Sequence, residues 1–322
     1  MANDGVRFGF LGAGEIASTQ LGPAVHAADG AVLQAVAARD PQRAAALEPR
    51  GRSYDDYRGV LEDPDVDVVY IALPNDQHYP WVRAALAAGK HVLCEKPLGL
   101  TAVETATLGD AARGAGLLLV EAFWYRWHPR QRALEVMVAE GAVGGVESVE
   151  AEFVFDKDLT GNYRLDPARG GGALYDVGCY TASAAIALLG EDAPPDAVSD
   201  VVVDRAGTLV DLTTEAVLQW PRGSARMRCG MAGPTAQRLT VTGELGRIEV
   251  PGQAFTSSTG TATELVVTKG GSEDRLAFAP AEPYRIMVES VASAVRGEAV
   301  FLVPLEHSVS VAQALDDIRA AG

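Results

Sequence analysis

Short apolar runs punctuate the first third of the chain, and each is set apart from the next by a stretch of helical character. Val6–Leu11, 32–38, 66–73, His91–Cys94 and 117–120 read as strands, with helices from Ala17 into the His26 region, from 41 to 48 and from 79 to 88. Strands alternating with helices predict a parallel sheet joined by right-handed crossovers. Beyond Ala122 the rhythm changes. Segments at 146–155, 198–203, 214–219, 225–231, 238–242, 247–250 and 264–268 follow one another, several of them alternating apolar and polar residues and many separated by Gly or Pro. Such a run predicts a mostly antiparallel sheet. A helix over 176–189 interrupts it, and helices at Pro283–Val295 and 307–320 end the chain. The expected organisation is an α/β domain over 1–122 and an α+β domain over 123–322.

At 322 residues, with 48% apolar and 22% charged residues, the chain can bury large cores without staples and needs no disordered segment. Its formal charge of −16 excludes nucleic acid and an anionic membrane surface as expected partners, since both are recognised through Lys and Arg. The charge favours solubility, and could also steer a cationic substrate. Cys94, Cys179 and Cys229 are scattered without metal-ligand spacing, so reduced thiols, no metal and a cytoplasmic setting are expected. Residues 1–15 lack the pattern of a signal peptide, and the uncharged segment 177–190 is shorter than the roughly 20 residues that span a bilayer. It reads as a buried helix.

Between the first strand and the first helix stands Gly12-Ala13-Gly14-Glu15-Ile16-Ala17, the pattern of a dinucleotide-binding turn with alanine in the third small position. The first glycine permits the tight turn, and the second lets backbone approach a pyrophosphate seated on a helix N-terminus. The second strand ends in Ala38-Arg39-Asp40. An acidic residue there bonds a ribose 2′-hydroxyl and a basic one accommodates a 2′-phosphate, so both NAD and NADP are accommodated, with a lean to NAD through Asp40.

Glu95-Lys96-Pro97 follows the fourth strand, at the carboxyl-end crevice where open parallel sheets bind ligands. A cationic nicotinamide beside Lys96 would lower its pKa towards the range useful for proton transfer. Gly170-Gly171-Gly172 precedes Asp176 and Tyr180, which share a helix face at a spacing of four. Taken alone, Tyr180 reads better as a core aromatic with a satisfied hydroxyl.

Together these residues resemble the Gfo/Idh/MocA oxidoreductases. The resemblance spans nearly the whole chain: the Gly12 turn, Ala72-Leu73-Pro74-Asn75 with His78, Glu95-Lys96-Pro97, Glu121-Ala122-Phe123-Trp124-Tyr125-Arg126, the triple glycine with Asp176, and Pro304-Leu305-Glu306. It implies a Rossmann dinucleotide-binding domain followed by an open-faced, mostly antiparallel sheet that is buried in a homodimer or homotetramer. The implied cofactor cleft comprises Gly12, Gly14, Glu15, Ile16, Ala17, Arg39, Asp40, Leu73, Pro74, Asn75, His78, Glu95 and Lys96. In the family the lysine matching Lys96 binds the reacting oxygen and the aspartate matching Asp176 assists.

Tyr180 stands where many members carry histidine, and so resembles the subgroup of glucose-fructose oxidoreductase, xylose dehydrogenases, dihydrodiol dehydrogenase and nucleotide-sugar 3-ketoreductases. Arg126 and Arg164 match positions at the mouth of that subgroup's substrate pocket, with a salt-bridge role as the alternative for each. The resemblance implies hydride transfer between NAD(P) and a secondary hydroxyl or ketone of a sugar, of the C-3 type, on an aminoglycoside or nucleotide sugar. Tyr180 is then the acid/base, Lys96 the group that orients the oxygen and tunes the phenol, and Asp176 a substrate clamp, with an exchange of the first two roles open. An aldose 1-dehydrogenase forming a lactone and a non-catalytic cofactor sensor are the alternatives. The alanine-rich composition suggests a GC-rich bacterial genome, where such enzymes serve sugar and antibiotic biosynthesis.

Overall fold

The computed structural model describes residues 5–190, 192–256 and 260–322. The chain forms two compact units. The first comprises the chain up to Gly99 with Val103–Trp127 and Glu282–Leu305, and the second Leu100–Ala102, His128–Ala281 and Glu306–Gly322. Thus the first unit runs on past Ala122, and a late segment returns to it. Tyr284, on the helix Pro283–Val295, stacks on Trp124 at 4.6 Å, and Phe301 meets Trp127 edge-on at 5.5 Å.

Six parallel strands make the first sheet: β1 (Val6–Leu11), β2 (Ala31–Ala37), β3 (Arg52–Tyr54), β4 (Val68–Ile71), β5 (His91–Cys94) and β6 (Leu119–Glu121), in the order β3-β2-β1-β4-β5-β6. The order reverses between β1 and β4, so the crevice at their carboxyl ends is the expected ligand position. Leu11, Ile71, Val82, Val92 and Leu108 lie in one buried cluster on this sheet. Two elements had no apolar signature. β3 is an edge strand with Arg52 and Ser53 exposed, and the helix Ala102–Ala115 buries Ala102, Thr105, Leu108, Gly109 and Ala112, a face with a single large apolar residue.

The second sheet has eight strands among the described residues: β7 (Val146–Val154), β8 (Ala197–Asp204), β9 (Thr213–Trp220), β10 (Gly223–Gly230), β11 (Ala236–Gly243), β12 (Gly246–Val250), β13 (Thr263–Lys269) and β14 (Ser272–Phe278). Their order is β14-β13-β12-β11-β7-β10-β9-β8, antiparallel except for the parallel pair β7 and β10. Alternation sets its two faces. On β9, Thr214, Ala216, Leu218 and Trp220 are buried while Glu215 and Gln219 are exposed. β14 went unpredicted because nearly all of it is exposed, which removes the period-two signal.

The buried face carries the helical run 174–190, which opens and closes in wide π turns, Leu174–Gly178 and Ile186–Gly190, around the α-helix Cys179–Ala185. With its preceding turns the segment Pro167–Gly190 is long and apolar enough to cross a membrane, yet its most apolar window is 94% buried within the protein. It is the core helix of its unit.

The helix Pro129–Ala139 begins at His128, whose Nδ1 accepts a bond from the Arg130 backbone N–H at 3.1 Å. Burial, with a smaller contribution from Arg130, lowers the His128 pKa from 6.5 to about 4. The ring is therefore neutral when folded and charged when unfolded at mildly acidic pH, so stability is full above pH 6.5 and falls as pH drops towards about 4. The loss should be about 3 kcal/mol. His128→Asn keeps a capping acceptor but no titrating group. Urea midpoints of this variant should depend less steeply on pH between 6.5 and 4 than those of the parent; equal slopes would refute the assignment.

Candidate active site

Gly12 takes φ +99°, and a Cβ there would stand 2.6 Å from the Ala72 carbonyl oxygen, so only glycine fits between β1 and the loop after β4. Gly14 differs in kind, since its nearest atom would be 4.0 Å away. It keeps an open backbone face. The helix starts at Glu15, with Ser18 N–H bonded to the Gly14 carbonyl at 3.0 Å, and Ala17 is fully buried where the helix meets the sheet. A π turn at Ala17–Leu21, closed by the Gly22 N–H on the Ala17 oxygen, precedes Pro23 and absorbs its missing donor.

Around this turn lies a cavity of about 350 Å³, bounded by Gly12 and Gly14, by Arg39, Asp40 and Arg43, and by Leu73 and Pro74 with Tyr57. Its chemistry fits a dinucleotide: bare backbone at a helix N-terminus for the phosphates, cations beyond the β2 tip, and apolar walls. The Asp40 carboxylate caps the helix Pro41–Ala45, accepting from the Gln42 N–H at 2.9 Å. Arg43, one turn into that helix, is a pocket residue that sequence reasoning missed, although its spacing of four from Arg39 was visible.

Asn75 and His78 are buried beside this loop. The His78 ring bridges the Leu73 carbonyl, 2.9 Å from Nε2, and the Pro97 carbonyl, 2.7 Å from Nδ1, which ties the loop after β4 to the loop carrying Lys96. Burial lowers its pKa, against the two carbonyls, which raise it. Glu95 is buried and accepts from the Tyr70 hydroxyl at 2.7 Å. Burial and then Glu95 hold that phenol well above its usual range. Glu121 accepts from the Leu98 N–H at 2.8 Å. Two buried carboxylates thus brace the backbone on either side of half-buried Lys96 and buried Pro97. Arg126, also in this unit, is buried with its guanidinium 5.7 Å from the Phe301 ring.

Asp176, Arg164 and Tyr180 belong to the second unit. Arg164 Nε donates to Asp176 Oδ2 at 2.7 Å, which brings two of the expected substrate contacts together as an ion pair. The glycine segment is shaped by packing: at Gly172, with φ +115°, a Cβ would lie 2.1 Å from Asp211 Oδ1. Asp211, another residue the sequence did not flag, accepts from the Leu174 N–H at 2.7 Å and the Thr214 hydroxyl at 2.9 Å. It anchors the turn that leads into Asp176. Tyr180 is 5% exposed, its ring set edge-on against Phe153 and Phe255.

Elsewhere in the same unit, His307 bridges Ser183 at 2.7 Å and Asp192 at 2.6 Å. Ser183 has no exposed surface, so these bonds fasten the last helix to the core helix and offer no nucleophile. All three cysteines are buried, and burial pushes the Cys94 and Cys229 thiols well above their usual range. No cluster of three potential metal ligands occurs among the described residues.

A doubly wound sheet with a glycine turn at its switch point defines a dinucleotide-binding class of protein, and the similarity to known proteins narrows it to oxidoreductases. Residues 6–123 match the model of an oxidoreductase family with an NAD-binding Rossmann fold, and residues 131–249 match the GFO/IDH/MocA C-terminal domain. The chain belongs to the Gfo/Idh/MocA family of NAD(P)-dependent oxidoreductases. It is 39% identical over 317 residues to D-xylose 1-dehydrogenase (NADP(+)) 2 of Haloferax volcanii, covering 97% of this chain and 95% of that protein. It is 31% identical to the dTDP-3,4-didehydro-2,6-dideoxy-alpha-D-glucose 3-reductase of Streptomyces antibioticus, with 98% and 95% covered. A 3-ketoreductase from Actinomadura kijaniata, solved in complex with NADP and TDP-benzene, superposes with a TM-score of 0.87 at 29% identity, covering 98% of each chain. The expected family and the expected pairing of a Rossmann domain with a mostly antiparallel sheet are both found.

Proposed function

We propose that this chain transfers a hydride between a secondary hydroxyl or ketone of a sugar and a nicotinamide dinucleotide, with Lys96, Tyr180 and Asp176 at the reacting centre. One observation carries the assignment of the pair. Lys96 and Tyr180 stand 84 positions apart. The A. kijaniata enzyme has been crystallised as a lysine variant and as a tyrosine variant whose positions have that same spacing.

Gly12, Gly14, Glu15, Ile16 and Ala17 would hold the pyrophosphate, with Leu73, Pro74 and Asn75 along the cleft and His78 and Glu95 bracing the loop of Lys96. When bound, the nicotinamide supplies or accepts the hydride. The Tyr180 hydroxyl gives or takes the proton of the substrate oxygen, and the Lys96 ammonium orients that oxygen and stabilises the phenolate. Asp176, held by Arg164, accepts bonds from neighbouring sugar hydroxyls, and Arg126 borders the substrate.

The lean to NAD rested on Asp40. With that carboxylate engaged as a helix cap, and with Arg39 and Arg43 both at the pocket, we take NADP as the preferred cofactor. A second reading, oxidation of an aldose at its anomeric carbon to a lactone, is favoured by the 39% identity to D-xylose 1-dehydrogenase. Retention of Lys96, Asp176 and Tyr180 together speaks against a cofactor sensor without chemistry. A cytoplasmic homodimer or homotetramer, formed through the outer face of the second sheet, completes the proposal. That face carries charge ladders such as Arg228 between Glu152 at 2.7 Å and Glu215 at 3.1 Å.

Nicotinamide absorbance should change when the protein meets NADP with members of a panel of free aldoses, aminoglycosides and nucleotide-linked sugars. Lactone formation would select the second reading over the first, an aminoglycoside substrate would point to antibiotic biosynthesis, and binding of neither NAD nor NADP would end the enzymatic reading.

A further inference from the structure

Arg130 is only 3% exposed, yet no carboxylate lies within ion-pair distance of it among the described residues, and its Nε has no hydrogen-bond partner there. Burial lowers its pKa to about 10. A buried, uncompensated cation is costly, so the contacts it does make are informative. Its Nη2 donates to the carbonyls of Gln253 at 2.8 Å and Ala254 at 3.1 Å. Gln237, on β11, takes the N–H groups of the next two residues: Oε1 accepts from Phe255 at 2.8 Å and from Thr256 at 3.1 Å. Two side chains thus hold one backbone group from each of four consecutive residues.

The residue presented by this stretch is Phe255, which is fully buried. Its ring lies flat on Phe153 of β7 at 5.6 Å and 4°. Both rings then meet Tyr180 edge-on, Phe153 at 5.5 Å and 69°, Phe255 at 6.2 Å and 65°. Edge-to-face contacts at these separations are the favoured geometry for aromatic pairs. The Tyr180 ring therefore rests against one residue from a strand and one from a loop. Only the loop residue needs external support.

We propose that Arg130 and Gln237 are positioning residues that act through Phe255 to set the plane of the Tyr180 ring, and hence the direction of its hydroxyl. The inference rests on the reading of Tyr180 as the acid/base. Small misplacements of a reacting group are expensive, a shift of about 1 Å costing as much as 10²-fold in rate.

The test is a kinetic cycle with NADP and whichever sugar of the panel is turned over. Phe255→Leu should lower kcat about 10-fold or more, with KM for sugar and cofactor within about 2-fold of the parent. Arg130→Met and Gln237→Leu should show the same split, and Arg130→Lys should recover most of the loss. In a Tyr180→Phe background, Phe255→Leu should cost less than about 2-fold further. An equal loss in both backgrounds, or a loss spread over kcat and KM alike, would overturn the positioning role and leave the Tyr180 assignment standing. Normal turnover by Tyr180→Phe alone would sink both. Thermal unfolding of each variant, and the milder Phe255→Tyr, separate a mispositioned ring from a protein that fails to fold.

Discussion

Replacing Tyr180 by Phe, or Lys96 by Met, should lower kcat by about 10²-fold or more and leave cofactor affinity nearly unchanged. As the hydride leaves a carbinol carbon, the hydroxyl proton must leave too, and a base within hydrogen-bond reach is required. An unperturbed phenol titrates near pH 10, and an adjacent ammonium favours its ionised form. The two substitutions remove different halves of this arrangement. Phe keeps the ring against Phe153 and Phe255 but removes the proton carrier, whereas Met keeps the length of Lys96 without its charge. Each should therefore fold normally and bind NADP in a fluorescence titration while turning over slowly. Under the proposed coupling of the pair, the double variant should be little worse than either single one. Near-normal turnover by both single variants, with an intact fold, would disprove the mechanism.

The second large effect concerns cofactor choice. Arg39→Ala combined with Arg43→Ala should weaken NADP binding by about 10- to 100-fold while NAD changes by no more than about 3-fold, the amount expected for one or two charge-assisted bonds to a phosphate. The reason lies in what each side chain is already doing. Asp40 spends an oxygen on the Gln42 N–H, while Arg39 and Arg43 reach the same cavity from the loop and from the first turn of the helix that Asp40 caps. Calorimetric titration with both cofactors measures the ratio directly. Equal losses for NAD and NADP would show that the arginines lie on the adenine or act through the loop, and the preference for NADP would fall.

The contrast between Gly12 and Arg43 shows where sequence reading stops. Residues 12–17 form one contiguous turn whose geometry is local, so a small-residue pattern after an apolar run was enough to locate it. Val6–Leu11, His91–Cys94 and Pro283–Val295 were legible for the same reason, and all three hold to the residue. The alternation in 214–219 likewise announced a strand with one wet face. Elements at the margins were not legible. β3 and β14 are exposed edge strands whose partners, not their own side chains, make them strands.

The chain determined by itself its two kinds of sheet, through periodicities of 2 and 3.6, and its family, through the resemblance carried by short motifs. Tertiary structure alone decided that 282–305 returns to the first unit, that Arg164 pairs with Asp176, that Asp211 needs Gly172 to be glycine, and that Phe255 sits against Tyr180. Each of these joins positions distant in sequence, and which distant groups meet depends on how whole elements pack, a quantity that no window along the chain contains.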